Sequence, residues 1–349
     1  MKKILTLVLC LSMVLTLVAV FASCGKADYK LGMGVVVSMD SSKTGNAQVD
    51  ATVAAVVTDA DGKIVACRID VAQNKMNVAN GAVEANKTFK TKMELGNDYG
   101  MAPAKIDNDG NGVTKEWFEQ AKAFEAYVVG KTVAEVEAIQ TQEKGGHKIA
   151  VDQVLLDAGC SMQITDFIAA VAKACKDDQA ASFSAKKDSF TLGVAAKTAV
   201  DSATKAATAT DKGVAAMYTD FAAAVVVDGK IVAALNDAIQ PKISFNAAGE
   251  IADTDKSYKD TKRALKGDYG MAPAKIDNDG NGVTKEWFEQ SKAFSEYVVG
   301  KTATEVAAMQ TQEKGGHMIS VDQALLDAGC SIQIPAICAV VAQAATNAR

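Results

Sequence analysis

The strongest pattern in the chain is a pair of apolar runs, rich in alanine, valine and isoleucine, on either side of a short Asp/Gly turn. Residues 51–57 and 63–71 flank one such turn, and residues 222–227 and 230–235 flank another. Apolar β-forming residues around a turn of this composition are typical of a β-hairpin. The pattern therefore predicts one hairpin in each half of the chain.

A helical period follows each hairpin in the sequence. In the first half, Thr114 is placed to cap a helix that Gly130 would end. Val113 before the cap and Phe118 after it form the pattern of a hydrophobic staple. One face of this helix carries apolar residues three or four positions apart: Trp117, Ala121, Phe124 and Val128.

Two further helices are predicted in each half. The Thr-x-x-Glu pattern of a capping box occurs at 132–135 and again at 302–305. A last helix follows Thr165 in the first half and starts at Pro335 in the second half, because proline suits a first helical turn. Together the patterns predict an α+β fold, in which each half is a small antiparallel sheet packed against C-terminal helices.

The two halves share long stretches of sequence. The segment DYGMAPAKIDNDGNGVTKEWFEQ at 98–120 recurs letter for letter at 268–290, and YVVGKT, TQEKGGH and LLDAGCS recur in the same order. A repeat of this length indicates a duplicated domain and not a solenoid. We therefore expect two tandem homologous modules, at 29–176 and 190–345, joined by a polar linker at 177–189.

The amino terminus has the parts of a secretory signal. Two lysines precede an apolar run at 4–21, and Ala-Ser-Cys-Gly follows. The cysteine after small residues resembles a bacterial lipobox, which implies a lipoprotein signal peptide at 1–23, lipidation of Cys24 and a tether at 24–28. Phe21 departs from the usual leucine, and an uncleaved membrane helix stays open as the alternative. Cleavage at another site stays open as well. All of these alternatives place the rest of the chain outside the cytoplasm, and the lipobox predicts a lipid anchor on the extracytoplasmic face of the cell membrane.

The net charge limits the classes of partner, and the cysteine pattern indicates the state of the thiols. A net charge of −5 disfavours nucleic acid, whose binding depends on clustered Lys and Arg. The expected partners are the membrane, through the lipid anchor, and a small-molecule or protein ligand. Of the five cysteines after Cys24, only Cys160 and Cys330 match between the halves. A disulfide framework would repeat with the module, so we expect free and mostly buried thiols.

The sharpest motif is Asp-Asn-Asp-Gly-Asn-Gly, at 107–112 and again at 277–282. It resembles the first half of an EF-hand calcium loop, in which oxygen atoms at alternate positions bind the ion. Phe118 stands where the EF-hand has its bidentate glutamate, and a plain Asn/Asp/Gly turn stays open as the alternative. The candidate calcium ligands are Asp107, Asp109, Asn111, Val113 and Glu116 in the first half, and Asp277, Asp279, Asn281, Val283 and Glu286 in the second half.

The sequence gives weaker evidence for a zinc site, a nucleophile or a dinucleotide site than for calcium. His147 and Cys160, repeated as His317 and Cys330, lack the spacing of a four-ligand zinc site and a third group that would orient a nucleophile. The Gly-Met-Gly sequence at 32–34 lacks the third glycine of a dinucleotide fingerprint. The sequence therefore favours a non-enzymatic protein over an enzyme.

The segments DGKIVA, KTKMELGNDYGM and LDAGCSMQITDFIAAVAKA together resemble exported lipoproteins of anaerobic Firmicutes. More distantly they are similar to FMN-binding domains, which attach flavin through a threonine and often occur in tandem on surface lipoproteins for electron transfer. Gln163 and Gln333 stand near the place of that threonine, and its motif is not retained. The resemblance implies an FMN-binding-like architecture in both modules, without covalent flavin but with noncovalent FMN still open.

Three functions follow from these observations. The first is a membrane-anchored extracytoplasmic binding module without enzymatic activity, whose ligand the sequence does not identify. The second is a flavin-carrying electron-transfer protein, and the third is a structural or interaction protein stabilised by calcium.

Overall fold

The computed structural model describes residues 25–112, 114–275, 277–282 and 284–349. The expected signal peptide, the lipidation site Cys24 and the candidate ligands Val113 and Val283 lie outside the described residues. Among the described residues, no helix is both long enough and apolar enough to cross a bilayer.

Two antiparallel sheets form the centre of the fold. The first has the strand order β3-β2-β1-β6, and the second has the order β11-β10-β8-β7, with β9 also paired to β8. The strands of the first sheet are β1 (Ala27–Ser38), β2 (Asn46–Thr58), β3 (Ile64–Asn77) and β6 (Ala181–Ala185). The strands of the second sheet are β7 (Thr191–Val200), β8 (Gly213–Val227), β9 (Lys230–Ile239), β10 (Lys242–Phe245) and β11 (Lys256–Ser257). The predicted hairpins are confirmed as β2–β3 and β8–β9, and both are longer than their apolar runs.

Helices and a short two-stranded hairpin follow the long strands in each half. In the first half they are α1 (Lys92–Leu95), α2 (Trp117–Val128), α3 (Val133–Glu137), β4 (Thr141–Lys144), β5 (His147–Ala150), α4 (Gln153–Asp157) and α5 (Thr165–Cys175). In the second half they are α6 (Lys262–Leu265), α7 (Trp287–Tyr297), α8 (Ala303–Ala307), β12 (Thr311–Lys314), β13 (His317–Ser320), α9 (Gln323–Asp327) and α10 (Pro335–Thr346). Short 3-10 helices lie at Ala79–Gly81, Gly96–Tyr99, Asp253–Asp255 and Lys266–Tyr269. The two series match element by element, and the fold is α+β as the pattern predicted.

The two sheets pack face to face on one shared hydrophobic core. Along β2, Val53 and Ala55 point into this core, and Phe221 and Ala223 of β8 enter the same core from the other sheet. Side chains on a strand alternate between its two faces, so the intervening residues point outward. There Ala54 and its neighbours pack under the helices of the first half. Burial on both faces explains why these strands are almost continuously apolar.

Each outer face of the sandwich is covered by the helices of its own half. α2 and α5 pack on the first sheet, and α7 and α10 pack on the second sheet. The molecule therefore has four layers in the order helices, sheet, sheet, helices.

Glycines let the last helix of each half approach its sheet. A Cβ atom at Gly34 of β1 would lie 2.2 Å from the carbonyl oxygen of Ala170 in α5. A Cβ atom at Gly193 of β7 would lie 1.9 Å from the carbonyl oxygen of Ala344 in α10. Both distances are shorter than any van der Waals contact, so the helix backbones can reach these strands only where there is no side chain. The Gly-Met-Gly sequence thus has a packing role.

Two details differ from the sequence-based expectations. α2 begins at Trp117 and not after Thr114, because Glu116 is the N-cap and its backbone N–H donates a hydrogen bond of 2.9 Å to the side chain of Glu119. The helix start predicted at Thr114 is therefore wrong, and Val113 of the predicted staple lies outside the described residues. The polar segment 177–189, expected to be a linker, contains strand β6, which pairs with β1. The capping boxes that begin α3 and α8 are confirmed.

The segment between the halves is fixed by polar contacts as well as by β6. Asp177 accepts a hydrogen bond from the backbone N–H of Met33 in the first half and forms a buried salt bridge of 3.1 Å with Arg263 in the second half. At the carboxyl terminus, Arg349 forms a salt bridge of 2.8 Å with Glu125 of α2. These contacts tie each half to the other.

The five cysteines of the described chain are free, and all but Cys175 are buried. Burial raises the pKa of the Cys160 and Cys330 thiols to about 12. Thiols of this kind are poor nucleophiles and poor metal ligands, because both roles need the thiolate.

Candidate functional site

The short helix α1 carries a lysine to the edge of the first sheet. Thr91 caps the helix, and its side chain and that of Glu94 form a capping box. The buried carboxylate of Asp70 in β3 accepts a hydrogen bond of 3.1 Å from the backbone N–H of Met93. Asp70 thereby fixes the helix on the strand, and burial raises its pKa to about 6. Lys92, the first residue of α1, is held in a defined position by these bonds.

Aromatic rings surround the ammonium group of Lys92. Its Nζ atom lies 4.8 Å from the ring centroid of Tyr99 and 5.5 Å from that of Trp117. Both distances are within the range of cation–π attraction. Among the described residues, Lys92 Nζ has no hydrogen bond or salt bridge, so its donors are available to another molecule.

Carboxylates lie on another wall of the same site. Asp50 of β2 accepts a hydrogen bond of 2.7 Å from Gln48 on its Oδ2 atom, whereas its Oδ1 atom is buried and has no partner among the described residues. Asp166 of α5 lines the same space, and burial followed by the nearby charge of Asp50 raises its pKa. A buried acceptor without a donor is costly, so Asp50 is poised to accept a hydrogen bond.

These residues line a cleft of about 720 Å³, which we call the open cleft. This volume is within the range of small-molecule sites. Its other lining residues include Asp40, Thr52, Gln73, Met101, His147, Met162, Gln163 and Phe167. The cleft therefore combines one cation, three carboxylates and several aromatic or thioether side chains.

The second half has a lysine at the position that matches Lys92, but in a different environment, which we call the closed site. Lys262 is the first residue of α6, and its Nζ atom lies 4.7 Å from the ring centroid of Tyr269 and 5.4 Å from that of Trp287. A third ring, that of Tyr218, lies 4.6 Å away, and its hydroxyl accepts a hydrogen bond of 2.8 Å from Lys262. Lys262 is only 6% exposed.

Charge in the closed site is buried with the lysine. Burial lowers the pKa of Lys262 to about 8, against the opposing effect of Asp220. Burial also raises the pKa of Asp220 to about 7, although the positive charge of Lys262 opposes this. The closed site is thus filled and satisfied by the side chains of the chain itself.

Asp50 and Tyr218 occupy equivalent places in the two hairpins. Ile64 and Ile231 both donate to a lysine carbonyl at 2.9 Å, and they pair with Thr58 and Val226 at the same irregularity of register. Counting eight residues back from those two partners gives Asp50 in β2 and Tyr218 in β8. One position therefore holds a short carboxylate in the open cleft and a tyrosine in the closed site.

The Asp/Asn/Gly loops are the candidate calcium sites of the sequence. Asp107 accepts hydrogen bonds of 2.8 Å from the backbone N–H groups of Gly110 and Gly112, and chiefly the bond from Gly112 lowers its pKa. Asp109 is 8% exposed, and its Oδ1 atom has no partner among the described residues. Burial, then the neighbouring Asp107, raises the pKa of Asp109. The loop therefore presents two adjacent carboxylates with one acceptor atom unused.

The remaining candidate ligands have other contacts. Asn111 donates to Asp109 at 2.8 Å, and the carboxylate of Glu116 accepts hydrogen bonds from the backbone N–H groups of Met101 and Ala102 at 3.0 and 3.2 Å. The second loop repeats these contacts: Asp277 with Gly280 and Gly282, Asn281 with Asp279, and Glu286 with Met271 and Ala272. Asp279 likewise has an unpartnered Oδ1 atom. Within the described ranges, no group of three or more His, Cys, Asp or Glu side chains is arranged to hold a metal ion.

Sequence reasoning did not single out Asp50, Lys92, Lys262 or Tyr218. A signal for the lysines was present, because Lys92 and Lys262 stand at matched positions before the repeated tyrosine and tryptophan. There was no such signal for Asp50 and Tyr218, since the strand sequences differ and only the pairing register shows that they correspond.

Part of the chain is similar to a known protein. A chlorophenol reductase of Desulfitobacterium hafniense is 37% identical over 100 residues, which are 25% of this chain and 28% of that protein. The chain thus matches less than a third of the relative's length. No family profile matches the chain, and no solved structure matches it.

Proposed function

We propose that the protein is an extracytoplasmic, membrane-anchored binding module whose small-molecule site is the open cleft. The observation that supports this most is the pair of unused polar groups in one cleft, the ammonium of Lys92 and the Oδ1 atom of Asp50. A ligand that satisfies both would recover the cost of leaving them unpaired. The partial match to chlorophenol reductase does not support a reductase activity for this chain.

The charged residues of the cleft limit the chemical class of ligand that it can bind. Asp40, Asp50 and Asp166 face one lysine in the same space, so the local charge is negative when the carboxyl groups are ionised. A phosphate group placed there would be repelled. We therefore propose a ligand without phosphate, which makes noncovalent FMN a poor candidate for this cleft.

A panel of amines, amino acids, phenols, carboxylic acids and sugars tests this proposal by ligand-observed NMR on the purified protein. Asp50→Tyr gives the first half the side chain that fills the closed site, so it should abolish the binding of every ligand that uses the open cleft. Asp211→Tyr, at an exposed position in the second half, is the matched control. If no panel member binds, or if all bind the two variants alike, the proposed function is wrong.

We propose calcium stabilisation as a second function, at the two Asp/Asn/Gly loops. It is supported by the adjacent carboxylates of Asp107 and Asp109 and by the unpartnered Oδ1 atoms of Asp109 and Asp279. Two neighbouring carboxylates repel each other unless they share a proton or bind a cation.

Thermal melts in EDTA and in about 1–5 mM CaCl₂ test the calcium proposal, because sites of this kind in extracellular proteins bind at about 0.1–1 mM. We expect the Tm of the wild-type protein to rise with calcium and not with equal MgCl₂. The double variant Asp109→Asn and Asp279→Asn should lose this response. Coincident wild-type melts in EDTA and calcium would contradict the proposal.

The membrane anchor is proposed from the lipobox-like sequence at Cys24. The acyl chains would supply roughly 0.8 kcal/mol per buried CH₂, and several chains are enough for stable attachment. The binding site would then operate at the outer face of the membrane. Cys24→Ser, expressed in the native host, should move the protein from the membrane fraction to the soluble fraction.

A further inference from the structure

The closed site shows which chemical group suits this lysine and its aromatic neighbours. The side chain of Tyr218 is a phenol, and its ring lies 4.6 Å from the Nζ atom of Lys262. Its hydroxyl accepts a hydrogen bond of 2.8 Å from the same atom. Tyr269 and Trp287 complete the surroundings of the ammonium group. In the second half, the phenol group beside the lysine is therefore a side chain of the protein itself.

The open cleft has the same receiving groups without the phenol. Lys92, Tyr99 and Trp117 are arranged as Lys262, Tyr269 and Trp287 are, with centroid distances that agree within 0.1 Å (4.8 and 4.7 Å, 5.5 and 5.4 Å). The shorter side chain of Asp50 replaces the tyrosine, and the space beside the lysine belongs to the cleft of about 720 Å³.

We infer that the open cleft binds a small hydroxy-aromatic molecule, whose ring takes the place that Tyr218 has in the closed site. The ligand hydroxyl accepts a hydrogen bond from Lys92 Nζ, and a donor group on the far end of the ring faces the carboxylate of Asp50, which lines the cleft. This inference rests on the proposed function and adds the class of the ligand.

The carboxylates determine what the far end of the ligand carries. Asp50 Oδ1 is an unpartnered acceptor, and Asp166 lies in the same cleft. Hydrogen bonds between a cationic donor and a carboxylate are stronger than those between neutral groups. A phenol that bears an ammonium group therefore fits the cleft better than a phenol that bears only a methyl group.

Three probes test the ligand class on the purified protein by isothermal titration. p-Cresol is the tyrosine side chain as a free molecule, toluene lacks its hydroxyl, and tyramine adds an ammonium group. We expect p-cresol to bind at one site per chain, toluene to bind about tenfold more weakly, and tyramine to bind about five- to tenfold more tightly than p-cresol.

Variants connect the binding to the two sites. Lys92→Met should weaken p-cresol about tenfold and leave toluene almost unchanged, because only the hydroxyl contact is lost. Asp50→Tyr should abolish the site. Tyr218→Ala should open the closed site, so that p-cresol binds at two sites per chain and restores part of the Tm that the variant loses.

Equal affinity for p-cresol and toluene would overturn the inference, because the hydroxyl would then play no part. Binding of p-cresol that survives both Lys92→Met and Asp50→Tyr would overturn it as well. If the phenols fail but other panel members bind and lose binding in Asp50→Tyr, the ligand class is wrong and the proposed function stands. If nothing binds, the proposed function itself fails.

Discussion

At the scale of single residues, Asp50 and Tyr218 differ most between the two halves. They occupy one structural position, yet the ring of Tyr218 packs against Lys262 and its hydroxyl accepts a hydrogen bond from that lysine, whereas Asp50 leaves Lys92 open to the cleft. The neighbouring charges differ as well, because the closed site buries Asp220 together with the lysine. Tyr218 thus fills its own site, and Asp50 leaves the matching site available.

Buried carboxyl groups make stability depend on pH. Burial raises the pKa of Asp220 to about 7, while Lys262 opposes this and Asp237 adds to it. In the unfolded chain the same group titrates near 4. The folded protein therefore keeps a proton that the unfolded chain loses, and the free energy of unfolding falls as the pH rises from about 4 to about 7.

We expect Asp220→Asn to flatten this dependence by roughly 2–4 kcal/mol between pH 4 and pH 7, as measured by urea unfolding. Burial also raises the pKa of Asp70, to about 6, so the free energy of unfolding of the variant should still fall with pH, but less steeply. The exposed substitution Asp211→Asn should keep the wild-type slope. An Asp220→Asn protein with the wild-type slope would show that this carboxyl group is ionised throughout the range.

The sequence indicated some of these residues and not others. The Asp/Asn/Gly loops were visible because their chemistry lies in consecutive residues. The open cleft combines Asp50 of β2, Lys92 of α1 and Asp166 of α5. Residues so distant in the chain carry no common spacing, and only the pairing of the strands and the placement of the helices brings them together.

At the scale of elements, the sequence predicted correctly the features that depend on a few consecutive residues. The Asp/Gly turns fixed both long hairpins, and the Thr-x-x-Glu boxes fixed the starts of α3 and α8. The start of α2 was misplaced because Glu116 caps the helix, and glutamate is not among the preferred N-cap residues. β6 was missed because its alternation of small or aromatic residues with serine covers only five residues inside a segment that is otherwise polar.

The glycine contacts between strands and helices predict a large effect of one methyl group. Gly34→Ala places a Cβ atom against the backbone of α5, which cannot yield as a flexible side chain could. We expect a loss of about 1–3 kcal/mol in the free energy of unfolding, and the same for Gly193→Ala. Gly267→Ala, where nothing lies within 4 Å of the added atom, is the control and should change little. Equal melting temperatures for all three variants would contradict the observed packing.

At the scale of the whole molecule, the two halves form one structure. Their sheets share a core, and the segment between them adds β6 to the first sheet and a buried salt bridge to the second half. The sequence repeat pointed to two modules with a linker. It could not show the sandwich, because an apolar strand face does not reveal which other face covers it.

A shared core predicts cooperative unfolding. We expect calorimetry to show a single transition for the wild-type protein. Phe221→Ala removes a fully buried ring from the shared core. It should lower the free energy of unfolding by about 3–5 kcal/mol and move the transition to a lower temperature without splitting it. Two separate transitions in the wild-type protein would mean that the halves unfold as independent domains.

One half of the molecule offers an open site, which we propose binds a ligand, and the other half has filled the matching site with its own side chain. The chain has two tryptophans, and Trp117 and Trp287 lie at the two sites. A ¹H–¹⁵N spectrum therefore gives one indole N–H signal for each site, which Trp117→Phe and Trp287→Phe assign. When the ligand panel is titrated into the wild-type protein, we expect shifts of the Trp117 signal alone. Shifts of the Trp287 signal, or no shift of either signal with any panel member, would contradict this proposal.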